Sequence, residues 1–376
     1  MMPTTYLIAP DSFKGSISAI QFCQIAQQVI AKKQPNATVL TRPLSDGGEG
    51  FVAAFVHAGL AEAKTLWCSG PLGRKVKATF GWMPKTQTAI IEMAQASGLT
   101  RLRPEDRNPL QTHTTGTGQI IQAAIHLGAQ TIILGLGGSA TNDGGVGALK
   151  ALGIPFLTEQ GKEIGLGGQA LNALHHIGKI PPSLFEIEWI LACDVTNPLL
   201  GNQGATHVFG PQKGLSPHVE PILEQGLTRL AEKIAQTTQI NVSDQMGSGA
   251  AGGMAAGFMG LLNAQIQPGF DLLNTYLNLK QLFEQQSIDV LITGEGKIDA
   301  QTAQGKLPQR IAHFAKQQNP HCKTIGLCGA LTSHTDKLPE FDALFSILSQ
   351  PMDESTAIQH TPMLLAQTID SILGLY

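Results

Sequence analysis

The stretch QTIILGLGGSATNDGGVG, residues 130 to 147, decides how the rest of the chain is interpreted. Its first residues, 130 to 134, form a short apolar run rich in β-branched side chains, which predicts a buried strand. Gly135, Gly137 and Gly138 follow, and they allow the backbone to turn sharply and to approach a ligand closely. Hydroxyl, amide and carboxylate side chains come next, in Ser139, Thr141, Asn142 and Asp143. The stretch therefore predicts a strand followed by a binding loop for phosphate, a metal ion or both.

Two other interpretations of this stretch remain open. A glycine-rich turn between a strand and a helix is often purely structural. In addition, Gly135, Gly137 and Ala140 fit the dinucleotide-binding pattern G-x-G-x-x-A, and Glu159 lies at the distance expected of a ribose-binding acid. Against this pattern, residues 144 to 147 include further glycines, each of which costs about 1 kcal/mol of helix stability relative to alanine. An NAD-dependent dehydrogenase of a small hydroxy acid is therefore the second hypothesis.

The composition predicts a protein of two domains that works in the cytoplasm. A chain of 376 residues exceeds the size at which one core keeps growing, and a hydrophobic content of 42% suffices for two cores. Charged residues make up 14%, the net charge is −3 and no basic stripe occurs, so neither nucleic acid nor a membrane is an expected partner. The N-terminus lacks a signal-peptide pattern, and the five cysteines lack C-x-x-C spacing. The sequence leaves the oligomeric state open, a homo-oligomer included.

Outside the opening stretch, the pattern of strands and helices changes along the chain. Residues 6–41 are predicted as a βαβ unit, residues 63–92 as an antiparallel meander, and residues 289–373 as alternating strands and helices. A meander does not belong in a doubly wound parallel sheet, so it marks a second, inserted α/β domain. The helix expected at 115–127 then returns the chain to the first sheet at Thr131. The predicted boundaries are 1–62 with 111–153 and 279–376 for the first domain, and 63–110 with 154–278 for the second.

Polar loops follow several predicted strands, and each of them contains a carboxylate. These loops are residues 11–16, 45–50, 135–145, 194–197 and 294–306. Ligands of open α/β sheets bind at the carboxyl ends of the strands, where these loops lie. Carboxylates, backbone amides and a few lysines are what phosphoryl transfer with Mg²⁺ requires, because that catalysis is mainly positioning and neutralisation of charge. A Walker A loop is not present at 300–307, since Ala300 replaces its first glycine and Leu307 replaces its Ser or Thr.

Each candidate residue also has a local structural explanation. Carboxylates at such positions commonly cap helices or form Asx turns, and this alternative applies to Asp46, Asp143, Asp194, Glu295 and Asp299. Lys14 fits a solvated loop lysine, but its neighbours Asp11 and Ser12 also suit an anion contact. Lys213, which lies between Gly210-Pro211-Gln212 and Gly214, has the setting of an anion clamp.

Taken together, these motifs resemble those of the bacterial glycerate kinase family, of the glycerate 2-kinase type. In the first part of the chain the likeness rests on IAPDSFKGS (8–16), LSDGGEG (44–50), GPLG (70–73), IEMA (91–94) and GGSATNDGG (137–145). Further on it rests on ACDV (192–195), NPL (197–199), FGPQKG (209–214), GAAGG (249–253) and TGEGKID (293–299). The likeness runs from about residue 6 to beyond residue 330, and Ser45 stands where many relatives have Ala.

The resemblance implies a kinase that uses ATP and Mg²⁺ to phosphorylate D-glycerate, usually to 2-phosphoglycerate, in the metabolism of glyoxylate or of sugar diacids. It also implies two α/β domains, one of them Rossmann-like with a doubly wound, mainly parallel sheet, and an active site in the cleft between them. A two-lobed sensor that binds a sugar acid without catalysis is the third hypothesis. That sensor would not consume ATP.

We hypothesise the following roles for the site residues. Asp46 or Asp194 is expected to be the base, and Lys14 to clamp the substrate carboxylate or the transferred phosphoryl group. Further contacts to glycerate are expected from Asp11, Ser12, Ser45, Gly47, Gly48, Asn197 and Lys213. ATP is expected to contact Gly137, Gly138, Ser139, Thr141, Asn142, Asp143, Gly294, Glu295, Gly296 and Lys306. The metal ligands are expected to be Asp143, Glu295 and Asp299.

Overall fold

The computed structural model of the protein describes residues 3–298, 305–332 and 338–374. The chain divides into two compact units. Unit 1 comprises residues 1–46, 53–58 and 270–376, and unit 2 comprises residues 47–52 and 59–269. Within the described residues, no helix is both long enough and apolar enough to cross a membrane.

The secondary structure alternates strands and helices through most of the chain. The strands are β1 (Thr5–Ile8), β2 (Thr38–Thr41), β3 (Glu62–Ser69), β4 (Lys75–Met83), β5 (Thr88–Glu92), β6 (Thr131–Gly135), β7 (Phe156–Leu157), β8 (His176–Ile177), β9 (Glu188–Ala192), β10 (Gln265–Gln267), β11 (Val290–Ile298), β12 (Lys323–Leu331) and β13 (Ala343–Ser346). The helices are α1 (Ala19–Lys33), α2 (Phe51–His57), α3 (Ala94–Ser97), α4 (Thr115–His126), α5 (Val146–Ala151), α6 (Ala205–Phe209), α7 (Glu220–Thr238), α8 (Ala250–Leu262), α9 (Gly269–Leu277), α10 (Leu279–Gln285), α11 (Leu307–Gln318) and α12 (Glu354–Leu373).

Unit 1 is built on a five-stranded sheet with the order β13-β12-β11-β1-β2. Every neighbouring pair of these strands is parallel. Helices α1 and α12 cover one face, where their apolar side chains form a core with alternate strand residues such as Tyr6 and Ile8. Helix α11 packs on β11 and β12 outside that core. The predicted doubly wound parallel sheet is confirmed.

Helix α1 shows how local sequence places an element on this sheet. It begins at a capping box, in which Gln21 N donates to Ser18 Oγ at 3.2 Å and Ser18 N donates to Gln21 Oε1 at 2.9 Å. Phe22, Ala26 and Ile30 recur every four residues and are buried in the core. This apolar stripe holds the helix against the sheet.

Unit 2 contains a six-stranded mixed sheet with the order β10-β9-β6-β5-β4-β3. Strands β3, β4 and β5 form the antiparallel meander that the sequence predicts, whereas β5, β6, β9 and β10 are parallel neighbours. Helices α4, α5, α7 and α8 contribute to the core of this unit. Because β5, β6 and β9 run parallel, the loops after them leave from the same edge of the sheet, which we call the carboxyl edge of unit 2.

The structure corrects the predicted domain boundaries. Strand β6 does not return to the first sheet but pairs with β5 and β9, so residues 111–153 belong to unit 2. Residues 270–278, expected in the second domain, belong to unit 1. The reason is that a short apolar run buried on both faces carries no mark of the sheet it joins. The loop expected from Gly294 onward is also wrong in part, because β11 remains paired with β12 as far as Ile298.

The start of α8 packs closely on the loop that follows β6. Ala251, Gly252 and Gly253 all have left-handed backbone conformations, with φ of 54°, 66° and 83°. Gly144 N donates to Gly252 O at 3.0 Å. A Cβ atom on Gly252 would lie 2.0 Å from Thr141 O, so this approach of the two chain segments requires glycine.

We predict that Gly252→Ala lowers the free energy of unfolding by about 3 kcal/mol or more, because the methyl group would meet a backbone oxygen and the alanine would keep a strained φ. Gly201→Ala is the matched control, since Gly201 has φ of 81° with no atom within 4 Å of the added Cβ. The control should lose only about 1 kcal/mol. Chemical denaturation measures both losses, and equal losses would contradict the close packing.

Candidate functional site

In unit 1, candidate residues collect where parallel strands end. Asp11 follows β1, Asp46 follows β2, and Glu295 lies near the end of β11. Strand β1 lies between β2 and β11 in the sheet, and Asp11 N donates to Gly294 O at 2.9 Å. The electrostatic effects of Asp46 and Glu295 on Asp11 show that the three carboxyl groups are near one another. Within unit 1, these three loops therefore lie at the same edge of the sheet.

Asp11 is the more deeply buried of two buried carboxylates in this group, with 6% of its surface exposed against 8% for Glu295. Burial raises the pKa of its carboxyl well above the usual range, and the negative charge of Asp46 raises it further. Two neighbours lower the pKa of Asp11. One is the positive charge of Lys14, and the other is the Ser12 N–H, which donates to Asp11 Oδ1 at 2.6 Å. Ser12 Oγ is buried, with no hydrogen-bond partner among the described residues. A buried carboxyl group with a raised pKa holds a proton more readily than an exposed one, and a cation nearby would favour its ionised form.

Two lysines place positive charge beside these carboxylates. Lys14 Nζ lies 4.0 Å from Asp46 Oδ2, with the two side chains 69% and 37% exposed. Lys306 Nζ lies 3.4 Å from Glu295 Oε2. An ion pair as long and exposed as that of Lys14 contributes little to stability, so its importance is in the placement of charge. Ammonium groups next to carboxylates suit a phosphate group and its metal ion.

In unit 2, Gly47 and Gly48 lie against the turn that follows β6. Gly137 N donates to Gly47 O at 3.2 Å. A Cβ atom on Gly137 would lie 2.5 Å from Gly48 Cα, and one on Gly47 would lie 2.6 Å from Ala192 O. Because Gly135 ends β6 and Ala192 ends β9, the segment rests on the carboxyl edge of unit 2. The structure thus brings three of the predicted glycines into direct contact.

The loop from 137 to 143 is accessible at its beginning and buried at its end. Gly138 is exposed and Gly137 is half-buried, while Ser139 is 7% exposed. Thr141 and Asn142 are fully buried, and Asn142 Nδ2 donates to Thr206 Oγ1 at 3.2 Å. The backbone amides of Gly138 and Ser139 therefore remain candidates for phosphate binding, whereas the amide of Gly137 already donates to Gly47 O. We reassign Thr141 and Asn142 from ATP contacts to the core.

Asp143 is an internal anchor and is not open to a ligand, since it is 1% exposed. Its Oδ2 accepts hydrogen bonds from Thr114 N at 2.8 Å, Thr114 Oγ1 at 2.9 Å and Gly147 N at 3.2 Å. Its Oδ1 accepts from Gly145 N at 3.2 Å. These donors lie at the starts of α4 and α5, so the helix-cap alternative fits Asp143 better than the predicted metal and ATP contacts.

Lys213 is internal too, which argues against the predicted clamp on glycerate. It is 1% exposed, and its Nζ donates to Thr141 O at 2.7 Å. Burial lowers the pKa of the lysine to about 7, and the negative charge of Asp143 opposes that shift. Lys213 thus supports the backbone of the loop from 137 to 143.

Asp194 and Asn197 follow β9 at the carboxyl edge of unit 2. Asp194 is exposed, and its Oδ1 accepts a hydrogen bond from Gly269 N at 3.1 Å. Asn197 is half-buried, and its Nδ2 donates to Gln203 O at 2.9 Å. An exposed carboxylate that is steadied by one backbone amide is suited to accept a proton from a substrate.

Glu92 belongs to the same edge and is absent from the predicted site. It ends β5, is 2% exposed, and its Oε1 accepts a hydrogen bond from Val52 N at 2.6 Å. Burial raises the pKa of its carboxyl to about 6. The signal in the sequence was the strand itself, because a carboxylate that ends an apolar run of three residues, Ala89 to Ile91, must be buried or functional.

The described residues fit a metal ion that arrives with a nucleotide. Asp299, a predicted metal ligand, lies outside the described residues. Across 3–298, 305–332 and 338–374, no group of three or more His, Cys, Asp and Glu side chains is placed to hold a metal ion. Mg²⁺ in phosphoryl-transfer sites is usually bound by one or two carboxylates together with phosphate oxygens and water. Asp11 and Glu295 at the edge of the unit 1 sheet match that requirement.

Comparison with known proteins agrees with the resemblance carried by the motifs. The sequence model of the glycerate kinase family matches residues 6–376. The glycerate 2-kinase of Escherichia coli (strain K12) is 42% identical over 347 residues, which cover 91% of this chain and 90% of that protein. The glycerate kinase of Haemophilus influenzae is 41% identical over 373 residues, which cover 98% of this chain and 97% of that protein.

Similarity extends to a solved structure. The crystal structure of a candidate glycerate kinase 2 from Salmonella typhimurium LT2 matches this chain with a TM-score of 0.84 and 39% sequence identity. The match covers 99% of this chain and 98% of that one. The chain therefore belongs to the glycerate kinase family, whose members are kinases.

Proposed function

We propose that the protein transfers the γ-phosphoryl group of ATP, with Mg²⁺, to the 2-hydroxyl group of D-glycerate, giving 2-phosphoglycerate. The observation that carries the proposal is the placement of carboxylates, lysines and glycine amides where the strands of each unit end, in a chain of the glycerate kinase family. The name of the Escherichia coli relative supports the 2-hydroxyl group as the acceptor. The five cysteines are free thiols, which suits a cytoplasmic enzyme.

The reaction needs a proton acceptor for the glycerate hydroxyl group. As the hydroxyl oxygen bonds to the γ-phosphorus, the bond from that phosphorus to the bridging oxygen of ADP breaks, and the hydroxyl proton passes to a carboxylate. Asp46 and Asp194 are the proposed acceptors, since both carboxylates are accessible at the ends of strands. Lys14, next to Asp46, would hold the substrate carboxylate or the transferred phosphoryl group. Further contacts to glycerate are assigned to Ser12, Ser45, Gly47, Gly48 and Asn197.

Each unit offers groups that suit the phosphates of ATP, because backbone N–H groups and ammonium groups bind phosphate oxygens. In unit 2 these are the amides of Gly138 and Ser139, and in unit 1 it is the ammonium group of Lys306. Glu295 and Asp299 are the proposed metal ligands, and we add Asp11 to them in place of Asp143. Bound Mg²⁺ would neutralise the negative charge of the phosphoryl oxygens.

The dehydrogenase alternative is disfavoured by the geometry of the glycine loop. In a dinucleotide-binding turn, the helix begins at the glycines, so that its N-terminus meets the pyrophosphate. Here α5 begins only at Val146, and the residues between Ala140 and that helix are buried. Stabilisation of the protein by NADH but not by Mg-ATP in a thermal-shift experiment would nevertheless restore that alternative.

The proposed acceptor position can be read directly from a coupled assay. We expect that ATP, Mg²⁺ and D-glycerate, with enolase but no phosphoglycerate mutase, produce phosphoenolpyruvate at once, because enolase accepts 2-phosphoglycerate. A signal that needs added mutase would assign the 3-hydroxyl group instead. No consumption of ATP with glycerate would refute the kinase and favour the sensor.

The proposed proton acceptors predict the effect of two substitutions. Asp46→Asn and Asp194→Asn should each lower turnover at least tenfold, which corresponds to about 1.4 kcal/mol of barrier, because the amide cannot accept the proton. Matched controls are Asp370→Asn on α12 in unit 1 and Glu232→Gln on α7 in unit 2, both exposed. The controls should keep wild-type turnover. If both site variants also keep it, the assignment is wrong.

A further inference from the structure

The buried carboxylate of Glu92 lies at the centre of a chain of hydrogen bonds in unit 2. Its Oε1 accepts from Val52 N at 2.6 Å, and its Oε2 accepts from Gln95 Nε2 at 3.3 Å. Gln95 Oε1 in turn accepts from Arg101 Nη2 at 3.4 Å, and the same nitrogen donates to Lys77 O at 3.1 Å. The carboxylate is therefore held in one orientation by partners from α2 and α3, and Arg101 ties its partner Gln95 to β4.

Through Val52, Glu92 fixes the segment that carries Gly47 and Gly48. The amide of Val52 is one of the N–H groups at the start of α2 that have no partner within the helix, so Glu92 supplies the missing acceptor. Gly48 O accepts a hydrogen bond from Phe51 N at 3.2 Å, which joins the first turn of α2 to the glycines. The position of Glu92 thus constrains the segment from 47 to 52 at its far end.

The near end of that segment contacts the candidate site of unit 2. Gly47 O accepts from Gly137 N at 3.2 Å, and the added Cβ distances leave no room between Gly47 and the end of β9. A shift of the segment would therefore move the amide of Gly137 or break its hydrogen bond. Glu92 itself is too deeply buried, at 2% exposure, to touch a substrate.

The electrostatic setting of Glu92 agrees with a role based on accepting hydrogen bonds. Burial is the largest cause of its raised pKa, and the negative charge of the exposed Glu49 raises it further. The N–H groups of Val52, Gln95 and Gly50 lower it. Of the charged side chains around it, Glu49 faces it from the glycine segment and Arg101 reaches it through Gln95. Burial of a carboxyl group is costly, and these donors offset the cost, so that the carboxylate and its donors hold one another in place.

We propose that Glu92 is a positioning residue for phosphoryl transfer, which holds Gly47 and Gly48 against the Gly137 turn by accepting the amide proton of Val52. The inference rests on the proposed function, because it assumes that these glycines take part in binding glycerate and ATP. Glutamine can still accept this hydrogen bond through its amide oxygen, whereas alanine cannot. The two substitutions therefore separate the hydrogen bond from the charge.

The test compares the full-length wild-type protein with Glu92→Gln and Glu92→Ala at 25 °C and pH 8, where each variant is first shown to be folded by circular dichroism. Glu92→Ala should lower kcat/KM for D-glycerate at least tenfold, with a lower kcat and a higher KM. Glu92→Gln should remain within about threefold of the wild type. Exposed Glu232→Gln on α7 is the control and should change neither constant.

Several results would overturn the inference. Wild-type constants in a folded Glu92→Ala protein would mean that the residue serves stability alone, and equal impairment of Glu92→Gln would mean that the charge matters and not the hydrogen bond. If Glu92→Ala does not fold, Gln95→Ala replaces it as the test, because this substitution removes the donor that orients the carboxylate. We expect Gln95→Ala to lower kcat/KM at least twofold. An unchanged kcat/KM would contradict the inference. A wild-type protein that does not phosphorylate glycerate at all would instead refute the proposed function.

Discussion

The hydrogen bonds around Asp143 hold the glycine loop of unit 2 in place. A carboxylate that is 1% exposed is stable only if its oxygens are well satisfied, and here Thr114, Gly145 and Gly147 donate to it. Because these donors start α4 and α5, one side chain fixes both helices and the end of the loop between β6 and α5. Lys213 adds a second internal support, through its hydrogen bond to Thr141 O. The candidate phosphate-binding amides of Gly138 and Ser139 depend on this buried framework.

The sequence was sufficient to predict that the candidate loops follow strands, and the rule that ligands bind at the carboxyl ends of strands needs only that order of strands and loops. It was not sufficient to decide which carboxylates face a ligand. Asp46 and Asp143 look alike in the sequence, since each precedes glycines after a strand. What makes Asp143 an internal residue is its contact with Thr114, which lies 29 residues away in the chain and is brought close only by tertiary packing. Glu92 was missed for the same reason, since its partner Val52 is 40 residues away.

The fold could be predicted to a similar degree. Local patterns placed a helix between the first two strands and the meander by its alternation, and both were confirmed. The sheet that β6 joins could not be predicted, because its buried residues Ile132, Ile133 and Leu134 would suit a central position in either parallel sheet. The extension of β11 past Gly294 depends on pairing with β12, which is also a nonlocal interaction. Glycines there suggested a turn, but Gly294 serves close packing, since a Cβ on it would lie 2.2 Å from Leu327 O.

The central claim, that Asp143 is a structural anchor and that the metal ion is bound elsewhere, is tested most directly by Asp143→Asn. Thermal unfolding and the Mg²⁺ dependence of glycerate phosphorylation would be measured on the same preparation. The account predicts a loss of about 3 kcal/mol in the free energy of unfolding, because an amide group would face backbone donors, and an unchanged Mg²⁺ requirement in the protein that remains folded. Unchanged stability together with a strongly raised Mg²⁺ requirement would contradict it and make Asp143 a metal ligand.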